Sequence, residues 1–254
     1  REGERSQEVA QRRLALLRVV NRTPTVPDID PQRPVSPEKG HGTKMLAAGG
    51  GMLGDRGFGE LQARFSYHDW LDNPEGYLNG AAIEAFNARI RRTEGDDLTL
   101  EQLDVVNIKS LAPRNRFRKP VSWFVNGGLD RRFIGSKRHL TRHVQGGPGL
   151  AWEMGPVIPY AYAMARAENN SAHDVLVSTA AGARAGVLWY AESFQLGLEA
   201  EGLYYHNDDR RYRPSATLNV PVGRNHALRA RIERDGGPDR AETEFHLSWR
   251  YYFD

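Results

Sequence analysis

The chain has 254 residues, no cysteine and a formal net charge of +3, and 39% of its residues are hydrophobic. The lack of cysteine excludes a cysteine-ligated metal site and a cysteine nucleophile within the chain, and the small, dispersed charge argues against nucleic acid as a partner. No segment approaches the roughly 18 apolar residues of a transmembrane helix, but a barrel strand needs only every second residue to be apolar. The chain begins without methionine or a signal peptide, so we expect a mature or excised fragment.

The N-terminal part, residues 1–43, is predicted to be a helix followed by a linker. Residues 6–20 place apolar side chains at helical spacing between arginines and glutamines. This pattern is typical of an amphipathic helix packed on the body of a protein, and its arginines also fit a helix lying on a membrane surface. Residues 23–37 carry five prolines and predict an extended linker.

From Lys44 onward, apolar and polar residues alternate with a period of two, which predicts β-strands. The alternation is weaker in the third and fourth strands, where we expect bulges. The twelve predicted strands cover residues 44–54, 58–69, 81–92, 98–111, 121–131, 141–154, 157–167, 175–190, 194–205, 210–221, 226–234 and 241–254. Most are joined by short turns, which predicts an antiparallel meander, and an even strand number is the rule in bacterial single-chain barrels.

The last strand favours a membrane barrel over a soluble sheet. It places Glu242, Glu244 and Arg250 on one face and Trp249 and Tyr251 on the other. Soluble strands usually run about five or six residues, whereas longer alternation with aromatic residues at the ends is typical of transmembrane strands. We therefore predict an all-β protein whose residues 44–254 form a transmembrane antiparallel up-and-down β-barrel of about 12 strands in the outer membrane of Gram-negative bacteria, in contact with its lipid.

The same alternation assigns side chains to two surfaces. The aromatic girdle is predicted to contain Trp123, Trp152, Trp189, Trp249, Tyr251 and Phe253. The charged residues expected to line the lumen are Glu60, Arg64, Arg184, Glu199, Glu201, Arg211, Arg213, Arg229, Arg231, Glu233, Glu242, Glu244 and Arg250. Both signs are abundant in this set, so we expect ion-paired networks and an essentially closed lumen, with a small selective pore as the alternative.

The densest polar motif follows the second strand and contains His68, Asp69, Asp72, Glu75 and Tyr77. A histidine with three carboxylates could serve acid–base chemistry or bind a cation. The same residues, together with Asn-Pro and a glycine, are also typical of an ordinary turn. We favour this interpretation. The sequence contains no GxSxG or HExxH motif, so a barrel enzyme acting on lipids is the least favoured interpretation.

Three segments resemble the C-terminal barrel of a bacterial outer-membrane family that carries an N-terminal periplasmic domain similar to the Lnb-type lipoprotein N-acylation transferases. They are YHDWLDNPEGYLNGAAIE at 67–84, LEQLDVVNIKSLAP at 100–113 and KPVSWFVNGGLDR at 119–131, and residues 34–42 look like the family's junction into the barrel. The resemblance implies that the proposed catalytic residues lie in a domain outside this chain. We therefore expect no catalytic residue, cofactor or metal here.

An even number of strands places both ends of the barrel on one side, which is the periplasmic side in this class. The loops at 70–79 and 112–120 then also face the periplasm. We predict that the polar motif docks the barrel's own periplasmic domain or another periplasmic protein. The leading functional hypothesis is a barrel that anchors and positions a domain processing lipoproteins or other envelope substrates; a channel for small solutes is the alternative.

Overall fold

The computed structural model describes residues 2–22, 35–134, 137–170, 176–206, 209–237 and 240–254. The chain divides into two units, one ending at Pro34 and one beginning at Val35. Most of the predicted linker, residues 23–34, and the predicted strand start at Val175 lie outside the described residues.

The first unit contains one helix, α1, Glu2–Arg22. It covers the predicted helical pattern and extends it at both ends. Among the described residues, no helix has the length and apolar character needed to cross a membrane. The choice between a packed helix and a membrane-surface helix stays a prediction.

The second unit begins with the short 3-10 helix Pro37–Lys39 and continues as β-strands only. The strands are β1 Lys44–Leu53, β2 Arg56–His68, β3 Ala81–Thr93, β4 Leu98–Ser110, β5 Pro113–Arg114, β6 Ser122–Ile134, β7 Lys137–Trp152, β8 Val157–Asn169, β9 Ser178–Tyr190, β10 Gln195–Tyr205, β11 Arg210–Pro221, β12 His226–Gly236 and β13 Ala241–Phe253. Each predicted strand matches one of these within a few residues.

The sheet closes on itself into an antiparallel barrel. Every strand except β5 pairs with its neighbours along the chain, β1 pairs with β13, and β7 pairs with β8. The two-residue β5 lies parallel to the end of β7, so the wall has the twelve strands that the sequence predicts. The near end is the end where β1 begins and β13 finishes; the opposite end is the far end.

The barrel is polar inside and apolar outside, as the alternation requires. Along β2, Leu61 and Phe65 are more than half exposed, whereas Glu60 and Arg64 are buried. Pointing apolar side chains outward is unfavourable in water and favourable in lipid, so the exposed belt defines a membrane-spanning surface.

Irregularities are present in both strands where bulges are predicted, β3 and β4. The extra residues lie in β4: Glu101 is skipped opposite Arg89 and Ile90 of β3, and Val105 is skipped opposite Gly127 and Gly128 of β6. Phe86 in β3 has a φ of 49°, a region that non-glycine residues seldom adopt. Each of these irregularities reverses which face the following side chains occupy, so simple alternation fails in these two strands.

Candidate functional site

Residues 69–80, which connect β2 to β3, fold into the near end of the barrel, and we call them the inner loop. Trp70, Leu71 and Asp72 are all buried. The loop turns back through a hydrogen bond from the Tyr77 amide to the Pro74 carbonyl at 3.0 Å. A loop in this position closes the lumen at that end with its own side chains.

Asp72 fixes the inner loop to the barrel wall. Its Oδ2 accepts hydrogen bonds from Arg64 Nη2 at 2.7 Å and from the Asp69 amide at 2.9 Å. Its Oδ1 accepts from Arg229 Nη2 at 3.0 Å and from the Tyr252 hydroxyl at 2.7 Å. The arginines hold the pKa of this buried carboxyl well below its usual range, against the opposing effect of desolvation.

The two residues before Asp72 fill the lumen beside it. Trp70 packs edge-on against Tyr160 and donates its indole N–H to the Gly80 carbonyl at 3.0 Å. Leu71 lies against Gly197, where an added Cβ would come within 3.1 Å of the leucine. The missing side chain at position 197 therefore makes room for the loop.

A stack of rings joins the inner loop to the segment that leads into β1. His68 and Tyr77 stack with centroids 4.3 Å apart, and His41 lies 4.6 Å from Tyr77 and 4.4 Å from Tyr252. His41 Nε2 is 3.2 Å from His68 Nδ1, and the Tyr77 hydroxyl donates to the His41 carbonyl at 2.7 Å. Burial lowers the pKa of His41, so its ring is neutral at pH 7.

His41, His68 and Asp72 place their potential ligand atoms within 4.8 Å of one another. Two neutral imidazoles and a carboxylate can bind a transition metal. Here, however, each Asp72 oxygen already accepts two hydrogen bonds, and two of the donors are positively charged arginines. A cation would have to displace them, so the arrangement suits an ion-pair latch better than a metal centre.

A carboxylate–guanidinium network lines the lumen on either side of the β1–β13 seam. Arg91 donates from Nε and Nη2 to Glu60 Oε2 at 2.9 and 2.6 Å and from Nη1 to Glu244 at 2.7 Å. Arg231 reaches the other Glu244 oxygen at 2.7 Å. These contacts join β2 and β3 to β12 and β13, so the network braces the wall across the β1–β13 seam.

The remaining lumen carries further pairs of the same kind. Glu201 pairs with both Arg184 and Arg213, and Arg166 pairs with Asp130 at 2.7 Å. Further pairs are Arg132 with Glu168, Arg166 with Glu168 and Arg211 with Asp235. Pairing satisfies the charges that burial in a narrow barrel would otherwise make costly.

Three separate cavities lie in succession between the inner loop and the far end. One of about 230 Å³ is lined by Trp70 and Leu71, and it shares Arg89 and Asp104 with a second cavity of about 80 Å³. The second shares Arg131 and Arg138 with a third of about 460 Å³, which extends to Asp96 in the β3–β4 turn. Their linings are mainly polar and charged, so this interior is suited to hold water.

The structure gives the burial and orientation of the luminal, girdle and polar-motif residues predicted from the sequence. The predicted luminal residues are buried or half-buried on the inner face of the barrel. In the girdle set, Trp123, Trp152, Trp189, Trp249 and Tyr251 are exposed on the outer face, and Phe253 is half-buried. Of the polar motif, His68, Asp69 and Asp72 point inward, Tyr77 is half-buried and Glu75 is exposed. The polar motif thus lies largely in the inner loop, at the near end of the lumen. Its predicted docking role stays a prediction.

The alternation pattern did not predict several central residues of this site. His41 sits between two glycines without any periodic pattern, and Arg91 follows Phe86, where the alternation of β3 is broken. Other buried luminal charges without a sequence prediction are Glu84, Glu101, Asp104, Arg132, Arg166 and Glu168. A count of arginines and acids in each strand would have suggested some of them, but not their partners.

A closed antiparallel barrel with an apolar outer belt and a charged lumen defines a transmembrane β-barrel of the outer-membrane type. Residues 34–252 match the sequence profile of a family described as a domain of unknown function (DUF7840), and the chain belongs to that family. No curated protein matches the chain. The resemblance to barrels with an Lnb-type periplasmic domain stays a prediction.

Solved outer-membrane barrels are similar in fold. The COG4313 outer membrane channel from Pseudomonas putida F1 aligns with a TM-score of 0.49 and 13% identity over 89% of this chain and 98% of that chain. The KdgM porin aligns with a TM-score of 0.43 and 11% identity over 83% and 99%. OmpT of Vibrio cholerae aligns with a TM-score of 0.41 and 8% identity over 83% and 96%. Likeness at these identities concerns the fold alone.

Proposed function

We propose that this barrel is a channel for small polar solutes that the inner loop holds closed at the near end. The observation that carries the proposal is the run of polar cavities that leads from the far-end turns to Trp70 and Leu71. A channel requires such polar space along its lumen. The inner loop is held by ion pairs of Asp69 and Asp72 and fits the space at Gly197, and release of these contacts would open the near end.

The lumen sets which solutes this channel would pass. Acidic and basic groups alternate around the cavity next to the inner loop, including Glu84, Glu199, Lys109 and Arg231. Neither sign dominates, so a net field that strongly selects cations or anions is not expected. The proposal is therefore for solutes recognised by hydrogen bonding and size.

Planar-bilayer conductance of the refolded 254-residue chain tests the proposal. We expect infrequent unitary openings from the native chain and frequent ones from Asp72→Asn, which weakens the latch. The control is Glu75→Gln, because Glu75 is in the same loop and exposed. Silence from both the native chain and Asp72→Asn, with heat-modifiable gel migration showing that both are folded, would reject a channel.

A second candidate function is the anchoring of a periplasmic domain. Arg224 lies in the turn between β11 and β12 at the near end. It donates from Nε to the Gly40 carbonyl at 2.7 Å and from Nη2 to the Glu38 carbonyl. The segment that leads into β1 is thus held against the barrel, which would fix the orientation of a domain preceding it. In this proposal the near end faces the periplasm, and the conductance experiment is silent for every variant.

A further inference from the structure

The loop between β4 and β6 carries a turn, residues 115–118, that presents an aromatic ring between basic side chains. Phe117 is 91% exposed. Arg116, Arg118 and Lys119 beside it are also exposed. An exposed phenylalanine costs free energy in water, and three adjacent cations repel one another, so this turn is suited to a surface that is both apolar and negatively charged.

The turn is built as a firm structure. The Asn115 side chain accepts hydrogen bonds from the amides of Phe117 and Arg118 at 2.9 and 2.8 Å, and the Asn115 amide donates to the Arg118 carbonyl at 2.9 Å. This side-chain turn closes the tip without help from the rest of the barrel. Phe117 is therefore held in an outward position by local bonds.

The base of the loop fixes the turn beside the lipid-facing wall. The Ala112 amide donates to the hydroxyl of the fully buried Ser122 at 3.0 Å. Arg114 pairs alongside Trp152 in the parallel β5–β7 ladder. Trp152 and Trp123 are exposed on the outer wall at this end, where tryptophans mark the membrane–water boundary. The basic turn therefore lies next to the tryptophan girdle, on the side of the lipid headgroups.

We infer that residues 115–119 form a binding site for the headgroups of anionic phospholipids, with Phe117 inserted among them and Arg116, Arg118 and Lys119 on the phosphates. A membrane is favoured over a protein partner because the turn adjoins the wall that already contacts lipid. Basic residues at a charged lipid surface each strengthen binding through screened attraction, and phenylalanine inserts at the acyl boundary. The inference concerns the outer rim of the barrel and does not depend on the channel proposal.

The experiment measures lipid association in vesicles that contain the full refolded chain. Spin-labelled phosphatidylglycerol and spin-labelled phosphatidylcholine are compared by the motionally restricted fraction of their electron spin resonance spectra. We expect phosphatidylglycerol to be preferred at least about threefold at low salt, and the preference to decline in concentrated salt. Arg116→Gln/Arg118→Gln/Lys119→Gln should bring the preference close to one.

A matched control and a second measurement complete the test. Arg92→Gln/Lys137→Gln neutralises exposed basic residues away from the turn and should leave most of the preference. The chain has no cysteine, so Phe117→Cys carries a single fluorophore, which quencher lipids should reach at headgroup depth. Equal association of the two lipids with the native chain, full preference in the triple variant, or a label quenched only from the aqueous phase would overturn the inference.

Discussion

The guanidinium of Arg64 donates to the carboxylate of Asp72 at 2.7 Å, and neither side chain has solvent-accessible surface. The two residues are eight positions apart, one in the wall at β2 and the other in the inner loop. Around them, Arg229 and Tyr252 reach the same carboxylate from β12 and β13. One carboxylate therefore joins the loop to both sides of the β1–β13 seam, and its removal is the most direct way to release the loop.

Replacing Asp72 by asparagine should destabilise the near end. Arg64 would stay buried without its closest negative partner and Arg229 would keep only Asp69, and breaking a buried pair in this way costs about 3–5 kcal/mol. The measurement is the urea midpoint of unfolding of the barrel refolded into vesicles, with Glu75→Gln as the control in the same loop. An unchanged midpoint for Asp72→Asn would show that the latch does not hold the fold.

The contribution of His41 to stability should decrease as the pH falls from 7 to 5, because its ring is buried and neutral in the folded chain. Its folded pKa is lower than its ordinary value near 6.5, so below about pH 6.5 the unfolded chain binds a proton that the folded chain does not. The slope reaches at most about 1.4 kcal/mol per pH unit for one such group. In His41→Gln the unfolding free energy should depend less steeply on pH over this range, and an equal slope in both proteins would contradict the argument.

The inner-loop carboxylates should not contribute to that slope. Arg229 lowers the pKa of Asp69 to about 2 despite desolvation, and the arginines depress the pKa of Asp72 as well. A depressed carboxyl pKa stabilises the fold above the unfolded value near 3.9, and this stabilisation is lost only as the pH falls toward the folded value. A second decrease in the unfolding free energy is therefore expected below about pH 4, and it should be smaller in Asp72→Asn.

Gly197→Val should displace the inner loop. A Cβ at this position would lie 3.1 Å from Leu71, and the two valine methyls would intrude further. Under the channel proposal, this variant opens more often in a planar bilayer than the native chain. Gly202→Val in the same strand is the control, because a Cβ there would meet nothing within 4 Å. Equal conductance of the two variants would show that the inner loop does not close the channel.

Arg91→Lys should weaken the central network although it keeps the charge. One ammonium cannot reproduce the two hydrogen bonds to Glu60 and the third to Glu244. We expect a loss of about 3 kcal/mol in the free energy of unfolding, since hydrogen bonds to charged groups contribute about 1.5–3 kcal/mol each. Arg92→Lys, at the next and exposed position, should change the urea midpoint little; a similar change in both would argue against a specific role for Arg91.

The sequence by itself determined the strands, their number and their two faces. Each strand carries its own period-two pattern, so Leu61 outside and Glu60 inside can be assigned without knowing any neighbour. The exceptions are β4, which has extra residues, and β3, where Phe86 has a positive φ; in both strands the following side chains move to the other face. There the prediction of bulges was confirmed, but Arg91 could not be assigned to the lumen.

Only the tertiary structure decided how the lumen is closed and which charges are partners. Arg229 and Asp72 are 157 positions apart, and closure of the sheet alone brings them together. The sequence of the inner loop is also compatible with an exposed turn. Its inward fold uses the space that Gly197 leaves in a distant strand. Local patterns encode the direction of a side chain along its own strand, whereas ion pairs and loop seating depend on the distances between strands in the closed barrel.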